Sequence, residues 1–203
     1  MKLLIATRNA GKVREYQEML HAGDDLEIVG LEDVGLGAMD VEETGTSFAE
    51  NASLKARAYG AASGLMTLAD DSGLVVHALD GRPGIYSARY GQPGLDDAGR
   101  RAYLLREMAA IPDNARRAHF TCVIAVYDPG RGVLEMVEGR CNGRILREER
   151  DAGQGFGYDA IFLPNGYNQS FGEMPATVKN RISHRGRAVA QLPALLARLR
   201  AAL

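Results

Sequence analysis

Short apolar runs alternate along the chain with longer segments whose apolar positions recur every three or four residues. This alternation predicts strands separated by amphipathic helices. The predicted strands are Lys2–Thr7, Leu26–Val29, Leu65–Ala69, Leu74–Leu79, His119–Tyr127, Val133–Glu138 and Ala160–Leu163. The predicted helices are Ala10–His21, Phe48–Ala62, Asp96–Met108 and Arg185–Leu203, the last expected to be kinked or split at Pro193. The order of these elements predicts an α/β fold with a mixed sheet.

The middle of the chain differs from this alternation. Residues 116–147 form consecutive strand patterns around a turn at 128–132, which contains Asp, Pro and Gly. Such a turn between two strands predicts an antiparallel pair.

Composition narrows the class of protein only slightly. With 203 residues, 46% hydrophobic and 25% charged, the chain is expected to form a single domain spanning residues 1–203. The formal net charge of −2 argues against a nucleic-acid partner. Two cysteines are too few for a disulfide framework, so we expect a cytoplasmic protein. The apolar run Leu3–Ala6 is too short for a signal peptide or membrane span.

The first group of candidate functional residues lies where the first strand meets the first helix. Thr7, Asn9 and Lys12 supply a hydroxyl, an amide and an ammonium group beside a helix N-terminus, which suits phosphate oxygens. The segment is not a Walker A loop, because Val13 stands where a Ser or Thr would follow the Lys. The alternative is that Asn9 caps the helix and Lys12 is solvated.

The second group surrounds the start of the second helix. Ser47 and Glu50 form a capping-box pattern, which explains Glu50 without any function. Glu43 precedes the helix in a Gly-containing loop, where a carboxylate is available for a metal ion. Lys55 shares a helical face with Phe48, so it points either inward or, by extending its stem, to water.

The third group is Asp-Asp-Ser-Gly at positions 70–73, which follows an apolar strand pattern. We expect these residues to form a turn at the strand end, where two carboxylates suit a hard divalent cation. Since successive strand side chains face opposite ways, only one of Asp70 and Asp71 is expected to line the site. Ordinary turn chemistry is the alternative.

Two further groups lie towards the C-terminus. Glycines flank Phe156, whose ring could stack on a purine, and Asp159 could accept a hydrogen bond from a base. Lys179, His184 and Arg185 supply donors that could recognise a 6-oxo group. For the segment around Phe156, the alternative is a glycine-rich surface loop. For the basic residues, the alternative is that Ser183 caps the last helix and the basic side chains are solvated.

Together these motifs resemble the inosine triphosphate pyrophosphatase family, which removes deaminated purine triphosphates. The resemblance rests on Thr-x-Asn-x-x-Lys at 7–12, Glu-Thr-Gly-x-Ser-Phe-x-Glu-Asn-Ala-x-x-Lys-Ala at 43–56, and Asp-Asp-Ser-Gly-Leu at 70–74. Pro-Gly-Ile-Tyr-Ser-Ala-Arg-Tyr at 83–90, Gly-Phe-Gly-Tyr-Asp at 155–159 and Ile-Ser-His-Arg-Gly at 182–186 complete it. It implies an elongated mixed sheet in two lobes flanked by helices, a nucleotide cleft between the lobes, and a homodimer.

The resemblance also implies a role for each matching residue. The reaction is Mg²⁺-dependent hydrolysis of ITP, dITP or XTP to the monophosphate and pyrophosphate. Asp71 is the implied proton acceptor, and Glu43 and Asp71 the metal ligands. Lys12, Glu50 and Lys55 support catalysis. The implied substrate-binding residues are Thr7, Arg8, Asn9, Lys12, Ser72, Phe156, Gly157, Tyr158, Asp159, Lys179, His184 and Arg185.

One segment departs from the family pattern. The family commonly has an acidic pair shortly before the matching lysine, whereas residues 175–178 here are Pro-Ala-Thr-Val. This departure concerns the local cap and base selection rather than the phosphate and metal residues.

Two alternatives to the assignment are a pyrophosphatase for pyrimidine nucleotides and a nucleotide-binding module without hydrolysis. The carboxylates at 43, 70 and 71 argue against the latter, because a polyanion binder gains little from added negative charge without a metal.

Overall fold

The computed structural model describes residues 2–20 and 26–201. The strands in these residues are β1 (Lys2–Ile5), β2 (Glu27–Gly30), β3 (Met66–Val76), β4 (Arg117–Asp128), β5 (Val133–Ile145) and β6 (Phe162–Pro164). The α-helices are α1 (Ala10–Met19), α2 (Phe48–Ser63), α3 (Asp97–Glu107), α4 (Ala176–Ile182), α5 (His184–Val189) and α6 (Leu192–Ala201). Helices accompany a sheet throughout, so the α/β class is confirmed.

The six described strands form one mixed sheet in the order β2-β1-β3-β4-β5-β6. Strand β1 pairs in parallel with both β2 and β3, whereas β5 and β6 are antiparallel. The parallel part arises because α1 and α2 connect these strands, and a parallel connection requires a crossover.

The chain divides into two compact units. The first contains Met1–Asp71, Cys122–Gly139 and Gly186–Leu203, and the second contains Ser72–Thr121 and Arg140–Arg185. In the first unit both faces of β1 are covered: Leu3 and Ile5 pack into one apolar cluster, and Leu4 into another. Burial on both faces explains why this strand is a continuous apolar run rather than an alternating one.

The second unit has one apolar core, in which aromatic rings are prominent. Phe120 of β4 lies edge-to-face against Phe162 of β6, with ring centroids 4.7 Å apart. Phe162 also contacts Phe171 at 5.1 Å. Such ring pairs stabilise the packing beyond the apolar area that they bury.

The prediction for residues 65–79 was wrong in one respect. Asp70 to Gly73 do not form a turn between two strands but lie inside the 11-residue strand β3. Their polar side chains and the glycine suggested a break. The strand continues past Leu68, the last β3 residue that pairs with β1, and β4 is its neighbour on the other side. Partners on α1 and α2 satisfy the buried carboxylates, so the strand does not end there.

The helix predictions are largely confirmed. Asn9 caps α1, Ser47 caps α2 and Asp96 caps α3, each through a side-chain oxygen that accepts a backbone N–H. The predicted C-terminal helix is split into α5 and α6, and Pro193 lies in the first turn of α6, where its missing N–H costs nothing. Helix α4 was not predicted. His21 and the last two residues of the predicted helices lie outside the described residues.

Candidate active site

Strand alternation separates the two adjacent carboxylates of β3. Leu68, two residues before Asp70, packs in the cluster that contains Tyr16 of α1, and Ala69 packs in the cluster that contains Ala52 of α2. Asp70 therefore faces α1 and Asp71 faces α2, as the period of a strand requires. Both are buried, with 2% and 6% of their surface exposed.

Asp71 contacts two residues of α2. Asn51 Nδ2 donates to Asp71 Oδ2 at 3.0 Å, and Lys55 Nζ lies 3.9 Å from Asp71 Oδ1. Lys55 Nζ also donates to Glu43 Oε1 at 2.5 Å. Lys55 therefore points inward, which resolves the two alternatives for this residue, and its ammonium group links Glu43 to Asp71.

Asp70 has a different lysine partner. Lys12 Nζ of α1 lies 2.9 Å from Asp70 Oδ2, and only 13% of the Lys12 side chain is exposed. The Sγ of Cys122 lies 3.7 Å from the same oxygen. The alternative of a solvated Lys12 is thus excluded, although Asn9 does cap the helix, its Oδ1 accepting the Lys12 N–H at 3.0 Å.

The pKa values of this cluster reflect burial and charge together. Burial raises the pKa of Asp71 above its ordinary value, although Lys55, Lys12 and the Asn51 hydrogen bond oppose that shift. Burial alone would lower the pKa of Lys55, but Asp71, Asp70 and Glu43 raise it. The lysine is therefore held charged, and Asp71 is a stronger base than an exposed aspartate.

Other predicted residues of the first unit have structural contacts. Glu50 Oε2 accepts from Thr46 N at 2.6 Å and from Thr46 Oγ1 at 2.9 Å, which are capping contacts at the start of α2. Arg8 is half-exposed and forms an ion pair with Asp40. Thr7 Oγ1 accepts the Asn9 N–H at 3.2 Å. None of these contacts excludes the roles that the resemblance implies.

A second group of predicted residues meets in the other unit. Lys179 Nζ donates to Asp159 Oδ2 at 2.6 Å, and both side chains are buried. The same carboxylate oxygen accepts the Phe156 N–H at 2.9 Å. Lys179 Nζ also lies 5.0 Å from the centroid of the Phe156 ring. The carboxylate thus holds the Phe156 backbone, and the ammonium group lies over one face of its ring.

His184 and Arg185 belong to the same neighbourhood. The His184 ring stacks on Phe120 with centroids 4.6 Å apart and an interplanar angle of 12°. Arg185 Nη2 donates to Ser72 Oγ at 2.9 Å, and its guanidinium carbon lies 5.9 Å from the Phe156 centroid. Both residues are almost fully buried, so the alternative of solvated basic residues is wrong.

The segment with the missing acidic pair begins helix α4. Pro175 occupies the N-cap position of α4, and no side chain caps this end. Ser183 ends α4, donating its N–H to the Lys179 carbonyl at 2.8 Å. Lys179 keeps its inward position despite the uncapped start.

Sequence reasoning overlooked Asn51. Its Nδ2 donates to Asp71, while its Oδ1 accepts the Gly45 N–H at 2.9 Å, so one fully buried amide joins Asp71 to the loop that contains Glu43. A side chain on Gly45 would approach Asn51 Oδ1 to 2.6 Å. A polar residue inside α2, four positions before Lys55 on the same face, was the available signal.

The donor set of the first unit fits a hard divalent cation. Glu43, Asp70 and Asp71 are three carboxylates against the two ammonium groups of Lys12 and Lys55, which leaves an excess negative charge. Among residues 2–20 and 26–201, no group of three or more His, Cys, Asp or Glu side chains could by itself hold a metal ion. Mg²⁺ does not need such a group, because it typically takes one or two carboxylates, waters and substrate phosphates.

The structure thus defines an α/β protein with a buried carboxylate–lysine cluster in one unit and an aromatic, basic cluster in the other. The sequence model of the Ham1 family matches residues 3–195, and the chain belongs to this family. Within the described residues, no helix is long and apolar enough to span a membrane.

Known relatives cover almost the whole chain. A dITP/XTP pyrophosphatase from Symbiobacterium thermophilum is 48% identical over 199 residues, which is 96% of each chain. One from Oceanobacillus iheyensis is 43% identical over 191 residues, covering 94% of this chain and 95% of the relative. The structure of a HAM1 protein from Coxiella burnetii matches with a TM-score of 0.87 and 37% identity, covering 98% of this chain and 99% of the other.

Proposed function

We propose that this protein hydrolyses deaminated purine nucleoside triphosphates, among them dITP, ITP and XTP, to the monophosphate and pyrophosphate. Relatives that are more than 40% identical over nearly the whole chain carry the name dITP/XTP pyrophosphatase. The observation that carries the proposal in this chain is the cluster in which Lys55 links the carboxylates of Glu43 and Asp71.

The cofactor in this proposal is Mg²⁺, held by Glu43 and Asp71. Their carboxylate oxygens and the excess negative charge of the cluster support it. A bound Mg²⁺ ion would neutralise phosphate charge and lower the pKa of a water molecule. Asn51 keeps the Asp71 carboxylate in place through its hydrogen bond of 3.0 Å.

The protein's own groups then have separate tasks. Asp71 accepts the proton of the water that attacks the α-phosphorus, as a general base does. Lys12 and Lys55 donate to phosphate oxygens, and Lys12 steadies the departing pyrophosphate. Thr7, Arg8 and Asn9 add donors for the triphosphate, while Glu50 supports the loop before α2 through its capping bonds.

Base recognition is assigned to the aromatic, basic cluster. The Phe156 ring stacks on the purine, with Gly157, Tyr158 and Asp159 as the rest of the platform. Lys179, His184 and Arg185 recognise the 6-oxo group, and Ser72 contacts the substrate. The burial of these donors supports selectivity, because an adenine 6-amino group would leave a buried donor without an acceptor.

The remaining parts of the proposal rest on the family and on charge. We propose a homodimer that works in the cytoplasm, without nucleic acid or membrane partners. The net charge of −2 supports the exclusion of nucleic acid, since binding of that polyanion needs an excess of basic residues.

The test is a panel of purified nucleoside triphosphates incubated with the protein, with and without Mg²⁺, followed by separation of pyrophosphate from orthophosphate. We expect pyrophosphate and monophosphate from dITP, ITP and XTP, only with the metal, and much slower turnover of dATP. Orthophosphate as the primary product would show that a different bond is cut. Preference for pyrimidine nucleotides would favour the alternative pyrophosphatase.

A further inference from the structure

The loop that contains Phe156 has little secondary structure of its own. Gly155, Phe156 and Gly157 belong to neither a helix nor a strand, and Gly157 has a φ of +59° in the left-handed region. Within the loop, the carboxylate of Asp159 holds the Phe156 N–H. A ring on such a loop keeps a fixed orientation only if other elements hold the backbone that follows it.

Helix α3 supplies those contacts. Asp97 Oδ2 accepts the Gly157 N–H at 2.7 Å, and Arg101 Nη1 donates to the Gly157 carbonyl at 2.8 Å. The two residues lie four positions apart, so they share one face of α3. Together they hold the peptide groups on both sides of the Gly157 Cα, and the first of these peptides begins at the Phe156 carbonyl.

The two side chains are themselves held in place. Arg101 is 12% exposed, and its Nη2 lies 2.9 Å from Glu149 Oε2. Asp97 forms an ion pair with Arg100. Burial opposes the charge on Asp97, but the Gly157 N–H, Arg100 and Arg101 together hold the pKa of its carboxyl below the ordinary value. Both hydrogen bonds to Gly157 therefore involve a charged partner, which makes them stronger than neutral ones.

We propose that Asp97 and Arg101 are positioning residues, which fix the Phe156 ring in the orientation that binds the purine base. This inference rests on the proposed function for the stacking role of Phe156. Neither residue belongs to a motif of the sequence, and neither contacts the Lys12, Lys55 and Asp71 cluster through any bond described above. Their loss should thus weaken base binding and leave the chemical step largely intact.

The variants are Asp97→Ala and Arg101→Met, the latter preserving most of the apolar stem of arginine. We expect each to raise the KM for dITP about tenfold, the effect of one lost charged hydrogen bond, with kcat changed less than about threefold. Isothermal calorimetry with dIMP should show a matching rise in Kd, whereas binding of pyrophosphate should be unchanged. Arg101→Lys, which keeps the charge and one donor, should restore part of the dIMP affinity.

Two matched controls separate this role from general damage to α3. Glu149→Gln removes the charge of the second partner of Arg101 but keeps an oxygen that can accept its hydrogen bond, and Arg106→Met changes an exposed arginine of the same helix. Both should bind dIMP like the wild type. The proposal is overturned if Asp97→Ala and Arg101→Met bind dIMP normally, or if they lower kcat and pyrophosphate binding as much as dIMP binding.

The same measurements distinguish this inference from the proposed function. If the wild type binds dIMP but does not hydrolyse dITP, the proposed function fails, and the dIMP data still decide the role of α3. If circular dichroism shows that Asp97→Ala does not fold, the dIMP affinities of Arg101→Met and Arg101→Lys test the positioning role instead. A wild type that hydrolyses dITP while both Arg101 variants keep normal dIMP affinity would overturn the positioning role alone.

Discussion

The two clusters of this protein place their functional groups in different ways. The carboxylate cluster (Lys12, Glu43, Asn51, Lys55, Asp70 and Asp71) is built mainly on β3, α1 and α2, with Glu43 on the loop before α2. The base cluster (Phe156, Asp159, Lys179, His184 and Arg185) depends on a glycine-rich loop and on short helices. In the carboxylate cluster, regular secondary structure fixes the positions of the side chains. In the base cluster, long-range hydrogen bonds and ring contacts fix them.

This difference suggests a division of tasks. In the proposed function the general base Asp71 lies inside a strand of the sheet, where small displacements are costly. The ring proposed to stack on the base, Phe156, lies on a loop whose backbone is held by other side chains. Variants of the carboxylate cluster should therefore alter kcat, and variants of the base cluster should alter stability or KM.

The largest expected effect comes from Asp71→Asn. Without the base, kcat for dITP should fall about a thousandfold, or about 4 kcal/mol of activation free energy. The fold should persist, because asparagine fits the same space and can still accept the Asn51 hydrogen bond. Steady-state kinetics and circular dichroism measure the two properties. Asp113→Asn, which changes an exposed aspartate, serves as the control, and a fully active, folded Asp71→Asn protein would remove Asp71 from the mechanism.

Lys179→Met should cost stability rather than catalytic rate alone. It leaves the buried Asp159 carboxylate without its ammonium partner, and loss of one member of a buried pair costs about 3 kcal/mol or more. Urea unfolding measures the change. Arg147→Met removes one member of the exposed pair with Asp113 and should cost less than about 1 kcal/mol. Equal losses in the two variants would contradict the burial argument.

Acid should destabilise the protein through the second unit, where His119 is buried. Its Nδ1 lies 3.2 Å from His77 Nε2 and 3.0 Å from Arg140 Nη2. Burial, followed by the charges of Arg140 and His77, lowers the pKa of His119 to about 4, below the ordinary 6.5. In this interval the unfolded chain binds the proton and the folded chain does not. The stabilising contribution of neutral His119 is therefore fully present above its ordinary pKa, and it is lost as the pH falls towards the pKa of His119 in the folded protein.

The expected loss across this interval is on the order of 2 kcal/mol. His119→Gln should flatten the dependence of the unfolding free energy on pH, as measured by urea titrations between about pH 7.5 and about pH 4.5. Arg140→Gln should reduce the slope only partly, because burial still opposes the charge on His119. An unchanged slope in His119→Gln would assign the acid sensitivity to other groups.

Phe156→Ala should have the smallest of these effects. Loss of stacking on a purine costs roughly 1–3 kcal/mol, so we expect the KM for dITP to rise about tenfold while kcat changes little. The control is Tyr167→Ala, which removes a half-exposed aromatic residue of the same unit. If kcat fell as strongly as in Asp71→Asn, the division of tasks between the two clusters would be wrong.

The sequence was informative where the physical signal is local. The caps formed by Asn9 and Ser47 were recognisable, since a capping side chain and the N–H that it accepts lie within a few residues. The opposite directions of Asp70 and Asp71 followed from the period of a strand. The boundaries near Asp70 to Gly73 were wrong, because the continuity of β3 depends on strands that are distant in sequence.

By itself, the sequence determined the α/β class, most helices and the residue types available for phosphate, metal and base, because periodicity and side-chain chemistry are properties of nearby residues. Only the tertiary structure decided that Lys12 pairs with Asp70 and Lys55 with Glu43, and that Asp97 and Arg101 hold Gly157 from 60 and 56 positions away. The physical reason is that a buried charge takes whichever partner the packing places beside it. That partner can come from any distance along the chain.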